Sequence, residues 1–210
     1  MLKVHHLERS RSMRILWLLE ELGVGYELIG YQRHPVTIRA PETLKAIHPL
    51  GKAPVIEDNG LVITESGAII EYLVDAYGDG RLAPARGDPE HARYLEWLHY
   101  AEGSAMLPIM VTLLGAWTGG LPDGLKGFIA PEVELVLDYL SKAVGADGYL
   151  LKSGFSAADI QMSYVVGSAR MGGLLQGRPD LLAYLERLEL RPAYRKSVEI
   201  GGPPYAMDQL

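Results

Sequence analysis

The chain has 210 residues, no cysteine and a formal net charge of −6 at pH 7. The absence of cysteine excludes disulfides, protein thiolate nucleophiles and Cys-type zinc sites, and the negative charge disfavours a nucleic-acid backbone as the principal partner. With 48% hydrophobic and 22% charged residues, the composition is that of a globular protein of one or two domains.

The first predicted unit of the chain is β-α-β. Residues 3 to 7 are typical of a short strand, and residues 26 to 31 are typical of a second one. Between them, apolar residues recur at the spacing of a one-sided helix, at Ile15, Leu18, Leu19 and Leu22, and Gly23 is suited to end that helix. Such a unit has parallel strands and a right-handed crossover.

A hairpin is predicted next, because Asn59-Gly60 suits a two-residue turn and lies between β-forming segments. A hairpin brings its two ends together. Lys52 and Ala53, which precede it, and Glu65 and Ser66, which follow it, should therefore converge at one end of a sheet, where Ser66 also opens a helix. These residues supply an isolated lysine, an extended backbone edge and an acid-hydroxyl pair. This combination predicts a binding site for a small zwitterion.

The helix after the hairpin completes the first half of the chain, with apolar residues on one face up to Tyr77 and Gly78 at its end. The stretch from 78 to 88, which contains glycine and proline, is the best linker candidate, and strand signals almost vanish beyond it. We therefore predict a mixed four-stranded sheet with helices in residues 1–79, a linker in 80–87 and an all-helical domain in 88–210.

Local signals divide the second half into helices. These signals are a helix start at Asp88-Pro89, a break at 119–124, a capping box from Ser156 to Asp159, and a one-sided apolar pattern that predicts a helix over 179–188. Pro131 should lie in the first turn of the helix that follows the break at 119–124, or kink that helix. A loose tail is predicted from Gly201 onward.

Four segments in order resemble the motifs of one enzyme family. His6 to Gly23 resembles a serine-bearing first helix, Pro49 to Ile56 a glutathione-binding loop, Glu65-Ser66 a γ-glutamyl motif, and Phe155 to Ile160 the capping box of a helical domain. Together they resemble the cytosolic glutathione transferases. The first-helix segment is most similar to that of bacterial and fungal members that use a serine. The resemblance implies a thioredoxin-like N-terminal domain followed by an all-helical C-terminal domain.

The resemblance also implies how glutathione, an acidic tripeptide, would be held. Lys52 would pair with the glycyl carboxylate, the backbone of Ala53 would pair with the cysteinyl portion, and Pro54 would be cis. Glu65 would accept from the γ-glutamyl ammonium, and Ser66 with its helix N-terminus would bind the adjacent carboxylate. The residues alone leave open a trans Pro54 at a strand start and a Ser66 that only caps its helix.

Two serines compete for the catalytic role in this resemblance. Ser10 would donate its hydroxyl to the ligand sulfur and so stabilise the thiolate, with each unit of thiol pKa worth about 1.4 kcal/mol. Ser12 also lies near the helix start and is the competing candidate. Without the resemblance, either serine could equally be only a helix cap.

The implied enzyme conjugates glutathione, its co-substrate, to small hydrophobic electrophiles, with possible peroxidase activity on organic hydroperoxides and a role in detoxification. A cytoplasmic location without a membrane partner is expected, because the chain shows neither a secretion signal nor an apolar run long enough to cross a bilayer. The net charge disfavours a nucleic-acid partner, no histidine spacing supports a metal site, and the resemblance implies a homodimer. The alternatives are a non-catalytic ligand carrier or regulatory protein, and a glutathione-dependent isomerase or dehalogenase.

Two further groups of residues have a structural and a functional interpretation. His5 and His6 are adjacent on a predicted strand, so they should point to opposite faces and not share a metal ion. Four residues of the helical half are candidate walls of the electrophile pocket, although core packing is the favoured role for each: Tyr100, Met106, Met110 and Trp117.

Overall fold

The computed structural model describes residues 1–144 and 148–205. These residues form two compact units, one made of Met1–Arg81 together with residues 190–205, and one made of the described residues between 82 and 189. The division into domains at 1–79, 80–87 and 88–210 stays a prediction. The segment from Leu190, which the sequence assigned to the helical domain, groups with the first unit in the structure.

The first unit is built on a four-stranded sheet. Its strands are β1 (Lys3–Leu7), β2 (Glu27–Tyr31), β3 (Val55–Asp58) and β4 (Leu61–Thr64), in the order β2-β1-β3-β4. β1 runs parallel to β2 and antiparallel to β3, and β3 and β4 are antiparallel. The predicted mixed sheet and the parallel β-α-β unit are therefore confirmed.

The hairpin between β3 and β4 has the predicted two-residue turn. Asn59 and Gly60 both adopt the left-handed region, with φ angles of 49° and 82°, as a turn of this length requires. At the open end of the hairpin, Val55 pairs with Thr64. The next residues outward are Pro54 and Glu65, so the loop before β3 and the start of the following helix meet at this end of the sheet.

Three helices belong to this unit: α1 (Met13–Leu22), α2 (Ser66–Tyr77) and α8 (Pro192–Gly201). The apolar stripe of α1 is buried, and the helix ends as predicted at Gly23, whose φ is 68° and whose N–H donates to the carbonyl of Leu19. A short 3-10 helix, Glu42–Ala46, occupies part of the connection between β2 and β3.

α8 was not predicted from the sequence, and it packs on α1. Tyr194 meets Trp17 edge to face with ring centroids 5.1 Å apart, and Arg191 forms an ion pair with Glu21 at 2.6 Å. The prediction of a loose tail from Gly201 was wrong in its starting point, because Gly201 is the last residue of α8. The part of that predicted tail beyond residue 205 lies outside the described residues.

The second unit is helical and contains α3 (Pro89–Tyr100), α4 (Met106–Trp117), α5 (Asp123–Ala143), α6 (Ala157–Met171) and α7 (Pro179–Glu189). A π-helical turn, Ala101–Ala105, separates α3 from α4. Pro108 explains that turn, because it lacks the N–H that a continuous α-helix would direct at the carbonyl of residue 104. Pro131 lies in the interior of α5, so the first turn is excluded as one of the two predicted alternatives.

The capping box at the start of α6 is confirmed. The buried Asp159 carboxylate accepts from the backbone N–H of Ser156 at 2.8 Å, from the N–H of Leu150 at 3.0 Å and from the hydroxyl of Tyr184 at 3.0 Å. Burial outweighs these hydrogen bonds and raises the pKa of Asp159 from its ordinary 3.8 to about 6.

Residues 1–144 and 148–205 lack two kinds of feature. None of their helices has both the length and the apolar character that crossing a membrane requires. These residues also contain no cluster of three or more histidine, aspartate or glutamate side chains that could hold a metal ion.

Candidate functional site

Ser10 and Ser12 form a hydrogen-bonded pair between β1 and α1. Their Oγ atoms are 2.8 Å apart, and Ser10 Oγ also lies 2.8 Å from the carbonyl oxygen of Leu7. Ser10 accepts the backbone N–H of Ser12 at 3.2 Å. Ser10 is 6% exposed, whereas Ser12 is completely buried. Both predicted serines therefore lie in one cluster, and Ser10 is the more accessible of the two.

His6 is the third member of this cluster. Its Nδ1 lies 2.8 Å from Ser12 Oγ, and its Nε2 lies 2.9 Å from the carbonyl oxygen of Gly201 at the end of α8. Desolvation lowers the pKa of His6, against smaller upward effects of the Gly201 carbonyl and of Glu8. The imidazole is thus neutral near pH 7, with one nitrogen that donates and one that accepts.

His5 points to the other face of β1, as the alternation of a strand predicts. Its Nδ1 lies 2.9 Å from the Tyr31 hydroxyl and its Nε2 lies 2.9 Å from Glu57 Oε1. It takes no part in the serine cluster.

Neither serine serves as a conventional helix cap. Ser12 occupies the N-cap position of α1, but its side chain makes no capping hydrogen bond. Ser10 instead stabilises the turn into the helix through the N–H of Ser12. The backbone of Ser12 is already helical, with a φ of −64° and a ψ of −18°, whereas a capping serine has an extended backbone.

The loop that carries Ser10 is held by an arginine from the segment after β2. Arg33 donates to the carbonyl oxygens of Glu8 at 3.1 Å, Arg9 at 2.9 Å and Ile38 at 2.9 Å. Arg9 and Ile38 have φ angles of 50° and 56°, which are rare for residues with side chains. Arg33 therefore fixes a strained backbone directly before Ser10.

A second cluster lies at the N-terminus of α2. Ser66 is buried, and its Oγ accepts from Nη1 of Arg14 at 3.1 Å. Arg14 is itself 1% exposed, so a buried cation lies in the first turn of α1 and reaches the start of α2. A positive charge and the free N–H groups of a helix N-terminus both favour an anion at this point.

Glu65, rather than Ser66, occupies the N-cap position of α2. Its φ and ψ of 67° and 116° are strained for a residue with a side chain. Its carboxylate is exposed and has no hydrogen bond or ion pair within the described part of the chain. A strained residue with an unpaired charge next to a helix N-terminus is the pattern of a binding site more than of a structural turn.

The loop before β3 supplies the last group of predicted residues. The Ala53–Pro54 peptide bond is cis, which confirms that prediction. Pro54 is buried, Ala53 is half-buried and Lys52 is exposed. Among the residues that the structure describes, the Lys52 ammonium has no hydrogen bond or ion pair. The open end of the hairpin thus presents an unpaired cation on one side and an unpaired carboxylate, Glu65, on the other.

Sequence reasoning missed three contributors to these clusters: His6 as a partner of the serines, Arg14 and Gly201. Arg14 had a usable signal, because it lies four residues before Leu18 and so shares the buried face of α1. Gly201 had none, because its contact with His6 spans almost the whole chain.

The four candidate wall residues of the electrophile pocket all belong to the second unit. Met106 is buried, Tyr100 and Met110 are half-buried, and Trp117 is 56% exposed. Tyr100 packs edge-on against both Trp97 and Tyr139. Core packing therefore accounts for Met106 and Tyr100, whereas Met110 and Trp117 keep accessible surface.

Comparison with known proteins gives consistent results. Residues 1–75 match the family model described as Glutathione S-transferase, N-terminal domain. Glutathione S-transferase 3 of Schizosaccharomyces pombe is 33% identical over 95% of this chain and 87% of its own length. The crystal structure of a glutathione S-transferase from Actinobacillus pleuropneumoniae superposes with a TM-score of 0.90 at 32% identity, covering 100% of this chain and 97% of that one. A sphingomonad glutathione S-transferase solved with glutathione superposes with a TM-score of 0.76 at 26% identity, over 95% and 98% of the two chains.

Proposed function

The chain belongs to the glutathione S-transferase family and is an enzyme with glutathione as co-substrate, and we propose that it conjugates glutathione to small hydrophobic electrophiles in detoxification. The observation that carries the proposal is the Ser10 and Ser12 pair at the start of α1, in a chain whose Arg14 connects α1 to Ser66. The serine pair offers a hydroxyl that can donate to a sulfur atom. Arg14 and Ser66 offer a binding site for a carboxylate.

In the proposed complex, both ends of the tripeptide meet complementary charge. Lys52 binds the glycyl carboxylate, and the backbone of Ala53 beside Pro54 pairs with the cysteinyl portion like an added strand. Glu65 accepts from the γ-glutamyl ammonium. Ser66 and the N-terminus of α2 bind the γ-glutamyl carboxylate. The unpaired side chains of Lys52 and Glu65 support these roles, because neither must first break an internal ion pair.

The chemistry that follows requires a thiolate at neutral pH. A free thiol of this type has a pKa of about 8.5, so a fall of one to two units makes the thiolate abundant. The hydroxyl of Ser10 supplies a hydrogen bond to the anion, and the positive end of α1 adds to it. The thiolate attacks an electrophilic carbon, the carbon–sulfur bond forms and the leaving group departs with its electron pair. Ser10 stabilises the nucleophile and forms no covalent bond.

The direct test combines binding and turnover. Isothermal titration with glutathione should give micromolar to millimolar binding, and the protein should conjugate glutathione to an aryl halide such as chlorodinitrobenzene. Binding without turnover on aryl halides, epoxides and organic hydroperoxides would favour the ligand-carrier alternative. No binding at millimolar glutathione would contradict the proposal. Turnover of hydroperoxides in the same panel would establish the peroxidase activity, which is the second part of the proposal.

We also propose that the enzyme is a cytoplasmic homodimer. The cytosol maintains the reduced glutathione on which the reaction depends. Each unit exposes apolar side chains, Leu61 and Val62 on β4 and Leu107 and Leu114 on α4, which support an interface with a second copy. Light scattering in line with gel filtration should give twice the mass of one chain, and a monomer at micromolar concentration would contradict this.

A further inference from the structure

We propose that His6 is a positioning residue that sets the direction of the hydrogen bonds through Ser12 and thereby makes Ser10 the hydroxyl that donates to the glutathione sulfur. This inference rests on the proposed function. The sequence left open which of the two serines is the donor. The choice between them follows from a series of hydrogen bonds that begins at the end of α8 and runs through His6 to the serines.

The first link fixes the tautomer of His6. A carbonyl oxygen can only accept a hydrogen bond, so the 2.9 Å contact between His6 Nε2 and the carbonyl of Gly201 requires a proton on Nε2. The ring is 5% exposed and neutral, so Nδ1 carries a lone pair. His6 therefore presents an acceptor to the serine cluster.

The second link commits the proton of Ser12. Ser12 Oγ lies 2.8 Å from His6 Nδ1 and 3.2 Å from the carbonyl oxygen of Leu7, and a hydroxyl has a single proton to donate. The shorter contact takes that proton, because Nδ1 has no other donor among the described residues, whereas the Leu7 carbonyl can accept from Ser10 at 2.8 Å. With that proton directed to Nδ1, Ser12 can only accept from Ser10 across the 2.8 Å contact between their oxygens. Ser12 is also completely buried, so it has no surface to offer to a ligand.

The third link leaves one proton that can be redirected. The hydroxyl of Ser10 has two nearby acceptors, the Leu7 carbonyl oxygen and Ser12 Oγ, both at 2.8 Å. It can turn from either of them to a sulfur atom without leaving the buried imidazole unsatisfied. In the reverse assignment, a Ser12 that donated to sulfur would abandon Nδ1 in a buried site, which costs the energy of an unmade hydrogen bond.

The fit around Gly201 holds this chain of bonds in place. A methyl group at Gly201 would lie 2.6 Å from Leu16 Cδ1, 2.7 Å from Met13 Sδ and 3.1 Å from His6 Cε1. Glycine at this position lets the last turn of α8 approach α1 and His6 without displacing these side chains. The C-terminal helix thus contributes to the geometry of the serine cluster through His6.

The test measures the thiol pKa of bound glutathione from the ultraviolet absorbance of the thiolate, in the full-length enzyme. Ser10→Ala should raise that pKa by about one unit, a tenfold loss in the ratio of thiolate to thiol. Ser12→Ala should raise it less. His6→Leu should raise it and lower kcat, with little change in the KM for glutathione, and His6→Asn, whose amide oxygen can replace Nδ1 as acceptor, should restore most of both. His5→Asn is the matched control and should change neither.

Specific outcomes would overturn the inference. A larger pKa rise for Ser12→Ala than for Ser10→Ala would assign the donor to Ser12. An unchanged thiol pKa in both His6 variants, in protein with native circular dichroism, would show that His6 does not position the serines. If His6→Leu does not fold, His6→Asn and the comparison of the two serine variants still decide. A wild-type enzyme that fails to bind glutathione would refute the proposed function itself, which separates the two failures.

Discussion

Removal of the charge on Lys52 should weaken binding of glutathione but not of γ-glutamylcysteine, which lacks the glycyl carboxylate. In the proposed complex Lys52 contacts only that carboxylate. Lys52→Met should therefore raise the Kd for glutathione and leave the Kd for the shorter ligand unchanged. Wild-type enzyme should itself bind γ-glutamylcysteine more weakly, by the amount that the variant loses for glutathione.

The exposure of Lys52 sets the magnitude of this effect. Its side chain is exposed and unpaired, so an ion pair formed there is bathed in solvent and contributes about 1 kcal/mol or less. That energy corresponds to roughly fivefold in Kd. Because exposed charges are screened, the difference between wild type and variant should shrink when the salt concentration rises from about 0.05 to 0.5 M.

Isothermal titration with the two ligands measures the effect, with Lys126→Met as the control. Lys126 is also exposed but lies in the second unit, so its removal makes the same change in net charge away from the site. Equal weakening for both ligands would show that Lys52 acts on the γ-glutamylcysteine portion or through the fold. No weakening for either ligand would refute its role in binding.

Three further predictions concern other parts of the chain. Because burial raises the pKa of Asp159 to about 6, the folded protein binds more protons than the unfolded chain between about pH 4 and 6, and its free energy of unfolding should fall as pH rises through that window. Asp159→Asn should reduce that fall in the free energy of unfolding by up to about 3 kcal/mol, as measured by denaturant titration at several pH values. A steeper fall in the variant would contradict the predicted direction. Arg14→Gln should raise the Kd for glutathione about tenfold by removing the cation beside Ser66, with an unchanged Kd as the contrary result and circular dichroism as the check on folding. Met110→Ala and Trp117→Ala should raise the KM for the electrophile and not that for glutathione; equal effects on both KM values would exclude a role in electrophile binding.

Local patterns predicted most elements of the fold because their causes are local. The Asn59-Gly60 turn, the end of α1 at Gly23 and the capping box at Asp159 each follow from the backbone preference or side-chain chemistry of a few neighbouring residues. α8 escaped prediction although Pro192 at its first position is a typical helix start; its packing on α1 is visible only in the structure. The position of Pro131 within its helix was left open by the sequence, because a long helix tolerates the local cost of one proline where its packing outweighs that cost.

The candidate site divides in the same way. The sequence by itself determined the types of residue and their order: Lys52 before a hairpin, Glu65 and Ser66 after it, and two serines ahead of a helix. Hairpin pairing then brings the first three together over a short stretch of chain. Only the tertiary structure decided which neighbours these residues have. The contacts of Ser66 with Arg14 and of His6 with Gly201 join segments far apart in the chain, and a hydrogen bond between buried groups forms only where packing has already excluded water and set the distance.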